Sequence, residues 1–189
     1  VKIIQNYIEI KKYKFKKRDV IKPNLIWVRS IHSIYNPLMA IQVLYEVRRK
    51  MPLAKLCMIG PVKDNSIDEI NRLINRLKLN NHVTVTGKLE KKEWTELSLE
   101  YDIFINTTNY DNHPISIIEA MALGLPIVST NVGGIPNLLR HNETAKLVEA
   151  NDVSAMASQI MDYLSNDDER IEISTNARKI VEKNYNKDK

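Results

Sequence analysis

The chain has 189 residues, of which 43% are hydrophobic and 27% charged, and its formal net charge is +5; this composition predicts one globular domain with a buried core. It contains no apolar run of the roughly 18 residues that a membrane-spanning helix needs, and no signal peptide opens it. The single cysteine, Cys57, excludes an internal disulfide, so we expect a cytoplasmic protein. Its start at Val1 rather than Met indicates an excised fragment.

Strand and helix patterns alternate along the chain with short turns between them. Strand patterns lie at 24–29, 55–60, 82–86, 102–107, 126–130 and 145–148, and the one at 102–107 is a continuous apolar run. Helical patterns lie at 36–51, from 66 onward, and at 91–100, 114–123, 135–140, from 152 onward and at 168–185. The alternation predicts an α/β fold with a Rossmann-like, doubly wound parallel sheet and right-handed crossovers.

Several helix ends carry capping signals. Asn36 and Asp152 are expected N-caps, and Ser66-x-x-Glu69 has the spacing of a capping box. Gly124 is expected to end the helix before it in a left-handed conformation.

The chain divides into three predicted parts: a basic linker at 1–23, a core domain at 24–165, and a C-terminal helix and tail at 166–189. The linker contains a basic cluster, Lys11, Lys12, Lys14, Lys16, Lys17 and Arg18. This cluster either contacts an anionic surface, such as a membrane lipid, or is simply solvated. No nucleic-acid-binding motif accompanies it, so no nucleic-acid partner is expected.

Polar residues and glycines recur where the predicted strands end. Arg29 ends the first strand, Gly60 and Gly87 end the next two, and a Gly133-Gly134 turn follows the fifth. Because the carboxyl ends of parallel strands meet at one edge, where such sheets bind ligands, we expect a binding site there.

The most specific pattern lies at 111–134. Asp111 and Glu119 stand eight positions apart, and an Ala-Met-Ala-Leu-Gly-Leu-Pro-Ile run and a Val-Gly-Gly-Ile-Pro turn follow. This segment closely resembles the nucleotide-sugar site of the family 4 retaining glycosyltransferases, which have the GT-B fold. Their pattern is Glu-x7-Glu, then Ala-Met-Ala-x-Gly-x-Pro-Val and Val-Gly-Gly-x-Pro, so Asp111 replaces the first Glu. The resemblance covers 25–164 and implies the C-terminal, donor-binding half of a GT-B fold, whose partner is an N-terminal acceptor-binding domain.

The resemblance implies a catalytic set of Arg29, Asp111 and Glu119. Arg29 would bind the diphosphate, Glu119 the ribose hydroxyls, and Asp111 the hydroxyls of the transferred sugar. The chemistry agrees, because negative charge grows on the leaving phosphate and a guanidinium binds phosphate through two parallel bonds. A carboxylate can likewise accept hydrogen bonds from both hydroxyls of a diol.

The remaining donor-binding residues follow from the resemblance and from the departures from it. The family has a lysine shortly after the arginine, where this chain has Ile34-Tyr35-Asn36, so His32 or Asn36 are candidate substitutes. The other implied donor-binding positions are Gly87, Lys88, Asn112, His113, Ile115, Ser116 and Gly133. Pro114 offers no N–H, although the amides beside it stand near a helix N-terminus, which attracts phosphate.

Two functions from different classes are compatible with these residues. The first is retaining, metal-independent transfer of a sugar from a nucleoside-diphosphate sugar, with no cofactor, by a protein of which this chain is a fragment with little activity alone. The second is a Rossmann-like module that binds a nucleotide or sugar without chemistry. A response-regulator-like domain is disfavoured because it needs an acidic cluster where Arg29 stands. The sequence specifies neither sugar, base nor acceptor; synthesis of envelope polysaccharide or lipid-linked glycan, at the inner face of the membrane, is a family-level expectation.

Overall fold

A single parallel sheet forms the centre of the protein. The computed structural model describes residues 6–187. The strands are β1 Asn24–Val28, β2 Lys55–Ile59, β3 Val83–Gly87, β4 Ile103–Asn106, β5 Ile127–Thr130 and β6 Lys146–Val148. Their order across the sheet is β3-β2-β1-β4-β5-β6, and each neighbouring pair is parallel. The predicted doubly wound Rossmann-like fold is therefore confirmed.

Helices follow the strands as the sequence pattern predicts. They are α1 Pro37–Arg48, α2 Ser66–Arg76, α3 Lys91–Leu97, α4 Ile115–Leu123, α5 Ile135–Leu138, α6 Val153–Ser165 and α7 Asp167–Asn184. Among the described residues, no helix is both long enough and apolar enough to cross a membrane.

The hydrophobic core lies in two layers, one on each face of the sheet. Trp27 and Leu44 belong to the layer under α1, α2 and α6, whereas Ile26 and Met121 belong to the layer under α4 and α7. Successive residues of a strand point to opposite faces, so adjacent Ile26 and Trp27 enter different layers. This explains why β1 and β4, in the middle of the sheet, are nearly continuous apolar runs, whereas β3, at its edge, alternates valine with threonine.

Three of the predicted helix ends are confirmed, and one is wrong. Asn36 and Asp152 are side-chain N-caps, and Gly124 ends α4 at φ 72°. The predicted capping box at Ser66 does not form, because Asn65 holds the N-cap position and makes no side-chain cap bond. Instead, Asp64 Oδ1 accepts a hydrogen bond from the Ser66 N–H at 3.0 Å, so the preceding loop provides the acceptor.

The segment that precedes β1 packs onto the same body as the sheet. Arg18 is 2% exposed, and its guanidinium donates to the backbone carbonyls of Lys16, Ser98, Tyr101 and Leu123. This residue of the basic cluster is thus used internally. The outermost parts of the predicted linker and tail, 1–5 and 188–189, lie outside the described residues, and the predicted domain boundaries stay predictions.

Loss of the α6 N-cap tests how far this capping contributes to stability. Asp152 Oδ1 accepts a hydrogen bond from the Ala155 N–H at 2.8 Å. We expect Asp152→Ala to lower the free energy of unfolding by about 1 kcal/mol in urea denaturation. The control is Glu172→Ala, on an exposed position in α7, which is expected to change it by less than about 0.5 kcal/mol. Equal effects of the two substitutions would contradict the capping role.

Candidate functional site

The site residues gather where the strand order reverses. β1 and β4 are neighbours, and the chain winds outward from them in opposite directions, which opens a crevice at their carboxyl ends. Arg29 directly follows β1, and Asn106 is the last residue of β4. The Arg29 Nε–H donates to Asn106 Oδ1 at 3.3 Å. The two strand ends therefore hold the guanidinium at this crevice.

Arg29 is a largely buried cation with unused hydrogen-bonding capacity. Its Nη2 lies 3.0 Å from Asp111 Oδ2, and its guanidinium carbon lies 5.3 Å from the centre of the Tyr35 ring. Burial lowers the pKa of Arg29, and the Asp111 carboxylate opposes that shift. The contact to Asp111 is an ion pair without hydrogen-bond geometry, so within residues 6–187 the buried Nη2 has no hydrogen-bond partner.

The loop that carries Asp111 is held by the Gly133-Gly134 turn. The Gly134 N–H donates to the Asp111 carbonyl at 2.8 Å. A Cβ added to Gly133 would lie 2.3 Å from that carbonyl oxygen, and one added to Gly134 would lie 1.9 Å from the Asn112 carbonyl oxygen. The two glycines are required because this turn packs directly on the backbone of the 111–112 loop. The turn therefore supports the loop that carries Asp111. The predicted approach of Gly133 to a diphosphate stays a prediction.

Glu119 is a buried carboxylate on α4 with two partners on one oxygen. It is 3% exposed. The Tyr13 hydroxyl donates to Oε1 at 2.6 Å, and Lys91 Nζ lies 2.7 Å from the same atom. Neither Tyr13 nor Lys91 is among the site residues that the sequence predicts. Tyr13 is 106 positions away along the chain, and no local pattern links it to α4.

The residues at the N-terminus of α4 differ in their exposure and contacts. The His113 N–H donates to Asp111 Oδ1 at 3.1 Å, and its ring contacts Tyr185 at 5.5 Å between centres. Ile115 is 42% exposed. Ser116 is buried, and its Oγ has no hydrogen-bond partner among the described residues.

The two candidate substitutes for the absent lysine already make hydrogen bonds within the protein. His32 Nδ1 accepts from the Ile34 N–H at 3.1 Å. The Asn36 Nδ2 donates to Asn109 and Asn151, at 3.3 and 2.8 Å. Asn36 would have to leave these partners to donate to a phosphate, whereas His32 keeps its other ring nitrogen for donation. The predicted roles of both residues stay predictions.

A cleft of about 410 Å³ opens beside Arg29 along the carboxyl ends of β1, β2 and β3. Arg29, Tyr35, Lys88 and Lys91 line it together with Trp94. Lys91, whose ammonium contacts Glu119, is thus shared between the cleft and the surroundings of that carboxylate, but Glu119 itself is not among the lining residues. Lys88 is exposed and forms an ion pair with Glu90. Within residues 6–187, no group of three or more His, Cys, Asp or Glu side chains could hold a metal ion.

A doubly wound parallel sheet with charged side chains in the crevice at its switch point defines an α/β protein of the Rossmann-like class, which binds ligands at this edge. A family model described as Glycosyl transferases group 1 matches residues 9–180. The chain therefore belongs to the group 1 glycosyltransferases.

Curated relatives are longer than this chain. It is 27% identical over 136 residues to the N-acetyl-alpha-D-glucosaminyl L-malate synthase of Bacillus anthracis. That match covers 72% of this chain and 35% of the relative. It is 30% identical over 112 residues to the 2-deoxystreptamine N-acetyl-D-glucosaminyltransferase of Niallia circulans. This second match covers 59% of this chain and 28% of the relative. The chain thus spans about a third of the length of these relatives.

Solved structures share the fold at lower sequence identity. The Anabaena protein Alr3699/HepE, in complex with UDP and glucose, has a TM-score of 0.89 at 20% identity, covering 98% of this chain and 53% of that one. The C-terminal domain of a group 1 glycosyl transferase, LpcC of Francisella tularensis, has a TM-score of 0.82 at 16% identity. The match covers 95% of this chain and 99% of that domain.

Proposed function

We propose that this chain is the C-terminal, donor-binding half of a retaining glycosyltransferase that transfers a sugar from a nucleoside-diphosphate sugar. The observation that carries the proposal is that, among the described residues, two buried side-chain donors, Arg29 Nη2 and Ser116 Oγ, have no hydrogen-bond partner, although Arg29 Nη2 forms an ion pair with Asp111. A buried donor without a hydrogen bond is costly, and a phosphate offers acceptors to such groups. Both residues belong to the predicted donor site, one after β1 and one in the first turn of α4.

Each residue would act on a different part of the donor. During transfer the bond between the anomeric carbon and the phosphate oxygen breaks, and negative charge develops on the leaving diphosphate. Arg29 and the N-terminus of α4 stabilise that charge. Glu119 accepts hydrogen bonds from the ribose, and Asp111 accepts them from the transferred sugar. The acceptor would enter from an N-terminal domain facing this edge, at the cytoplasmic side of the membrane.

Two of the similar solved structures support the choice of nucleotide and the assignment to the C-terminal half. UDP is named in the complex of the Anabaena neighbour, which makes UDP the first nucleotide to test. The neighbour from Francisella tularensis is a C-terminal domain of nearly the same extent as this chain, which supports the assignment to the C-terminal half. The sugar and the acceptor are left open.

A second candidate is a nucleotide-binding module that performs no transfer. The observation favouring it is the ion pair between Asp111 and Arg29, because a carboxylate held by the guanidinium is less available to sugar hydroxyls. Pro114, which lacks an N–H, removes one further donor at α4. The two candidates differ in turnover and agree on nucleotide binding.

Calorimetric titration with UDP, GDP and ADP tests the donor site shared by both candidates. We expect one nucleotide to bind, and Arg29→Ala to weaken its binding about 20-fold, since a charge-assisted hydrogen bond to phosphate is lost. The corresponding nucleoside, which has no phosphate, is expected to bind both forms equally. If no nucleotide binds the folded chain, alone or with an N-terminal half added, the proposal is wrong.

Turnover separates the two candidates. The same chain joined to an N-terminal half is expected to release the nucleoside diphosphate from the matching donor sugar when an acceptor is present. Nucleotide binding without any release would favour the module that performs no transfer.

A further inference from the structure

We propose that Tyr13 is a positioning residue for Glu119: its phenol holds Oε1 and thereby orients the carboxylate toward the ribose hydroxyls of the donor. This inference rests on the proposed function, because it assumes that Glu119 accepts the ribose. Tyr13 lies in the segment before β1, outside the predicted core domain and outside the motif at 111–134.

The contact between the two side chains is short and buried. Tyr13 is 3% exposed and Glu119 is 3% exposed, and the hydroxyl oxygen lies 2.6 Å from Oε1. Burial, followed by the hydrogen bond to Glu119 and its charge, raises the pKa of Tyr13. The phenol therefore stays protonated near neutral pH and acts as a donor, which is the polarity that a carboxylate needs.

The Tyr13 backbone is fixed independently of this hydrogen bond. Arg178 of α7 donates from Nη1 to the Tyr13 carbonyl at 3.0 Å and also to the Ala122 carbonyl of α4. The same guanidinium thus joins the tyrosine backbone to the helix that carries Glu119. With its backbone held and its ring buried, Tyr13 can define the carboxylate orientation before a ligand arrives.

The two partners of Oε1 differ in how easily they can be displaced. The Lys91 side chain is 62% exposed, so its ammonium can move into solvent at little cost. Tyr13 has no such alternative, because withdrawing its buried phenol would leave the hydroxyl unpaired. We infer that a ribose hydroxyl replaces Lys91 on Oε1 while Tyr13 stays, and that Oε2 accepts the second hydroxyl.

The test compares UDP with 2′,3′-dideoxy-UDP on the unsubstituted chain and on Tyr13→Phe. The dideoxy nucleotide keeps the base and the diphosphate but offers Glu119 no hydroxyl. We expect Tyr13→Phe to weaken UDP binding about tenfold and to change dideoxy-UDP binding by less than about twofold, since only interactions with the carboxylate depend on the phenol.

Tyr163→Phe is the matched control. Tyr163 is fully buried, and its hydroxyl donates to the Ile127 carbonyl at 3.2 Å. Ile127 is the first residue of β5, so this contact lies at the amino ends of the strands, away from the crevice at their carboxyl ends. Its removal is expected to leave both affinities within about twofold, while thermal unfolding reports whether each variant is folded.

Three results would overturn the inference. If Tyr13→Phe binds UDP as tightly as the unsubstituted chain, the phenol does not position the carboxylate. If Tyr13→Phe weakens the binding of UDP and of dideoxy-UDP equally, the tyrosine has only a structural role. If the unsubstituted chain binds UDP no better than dideoxy-UDP, Glu119 does not accept the ribose, and diphosphate binding through Arg29 is judged separately.

Discussion

Replacing Glu119 with alanine is expected to lower the affinity for UDP by roughly 100-fold, because two charge-assisted hydrogen bonds to the ribose are lost. The burial of this side chain adds to the effect: at 3% exposure, little water can enter to replace the carboxylate. Calorimetry with UDP measures the loss, and 2′,3′-dideoxy-UDP, which offers no hydroxyls, is expected to bind Glu119→Ala and the unsubstituted chain similarly.

Glu90→Ala is the control for Glu119. Glu90 lines the cleft of about 410 Å³ but is solvent-exposed and paired with Lys88. We expect its removal to change UDP affinity less than about threefold, because an exposed ion pair contributes little. If both substitutions lower the affinity equally, the loss is not specific to Glu119, and the assignment of the ribose to Glu119 is wrong.

Glu119 also shows why a carboxylate can be buried at this position. Its charge would be costly among apolar neighbours such as Ile117 and Ile118 without partners. Tyr13 and Lys91 provide those partners in the free protein. A side chain held in this way loses little conformational freedom when a ligand binds, and such preorganisation raises affinity without any new contact.

Much of the fold could be predicted from local sequence. The sequence pattern locates the six strands found within residues 6–187, most directly β1 and β4, because strands covered on both faces need continuous hydrophobic residues. The αL position of Gly124 and the N-cap at Asp152 follow from single residues with strong conformational preferences. Predicted strand ends differ from the structure by at most one position, since side-chain pattern does not specify the last backbone hydrogen bond.

The contacts that complete the site could not be predicted in this way. The motif at 111–134 points to Asp111 and Glu119, but it does not show that Arg29 pairs with Asp111 or that Tyr13 pairs with Glu119. These are tertiary contacts between distant segments, and no periodicity encodes them. The capping box at Ser66 fails for a related reason: Asp64, a loop residue, provides an acceptor first.

The largest loss of stability is expected from Arg170→Met. Arg170 is fully buried in α7, and its guanidinium donates to the backbone carbonyls of Arg18, Asp19 and Tyr163 and to the carboxylate of Asp167. Methionine keeps a similar apolar stem but leaves these buried carbonyls without donors. We expect the free energy of unfolding to fall by about 4 kcal/mol, a large share of the 5–15 kcal/mol typical of a domain. Urea denaturation measures the change, provided that the m-value, the slope of the unfolding free energy against urea concentration, is the same for both proteins.

Arg140→Met separates the effect of burial from that of losing a positive charge. The Arg140 side chain is 72% exposed and forms an ion pair with Glu143 at 3.4 Å, so its loss is expected to change stability by less than about 0.5 kcal/mol. A loss below about 1 kcal/mol for Arg170→Met would mean that water or repacking satisfies the carbonyls.

Because Arg170 holds the chain at Arg18 and Asp19, close in sequence to Tyr13, the same substitution is expected to weaken UDP binding while dideoxy-UDP binding changes less. A link of this kind would show that the segment before β1 is part of the donor site as well as of the fold.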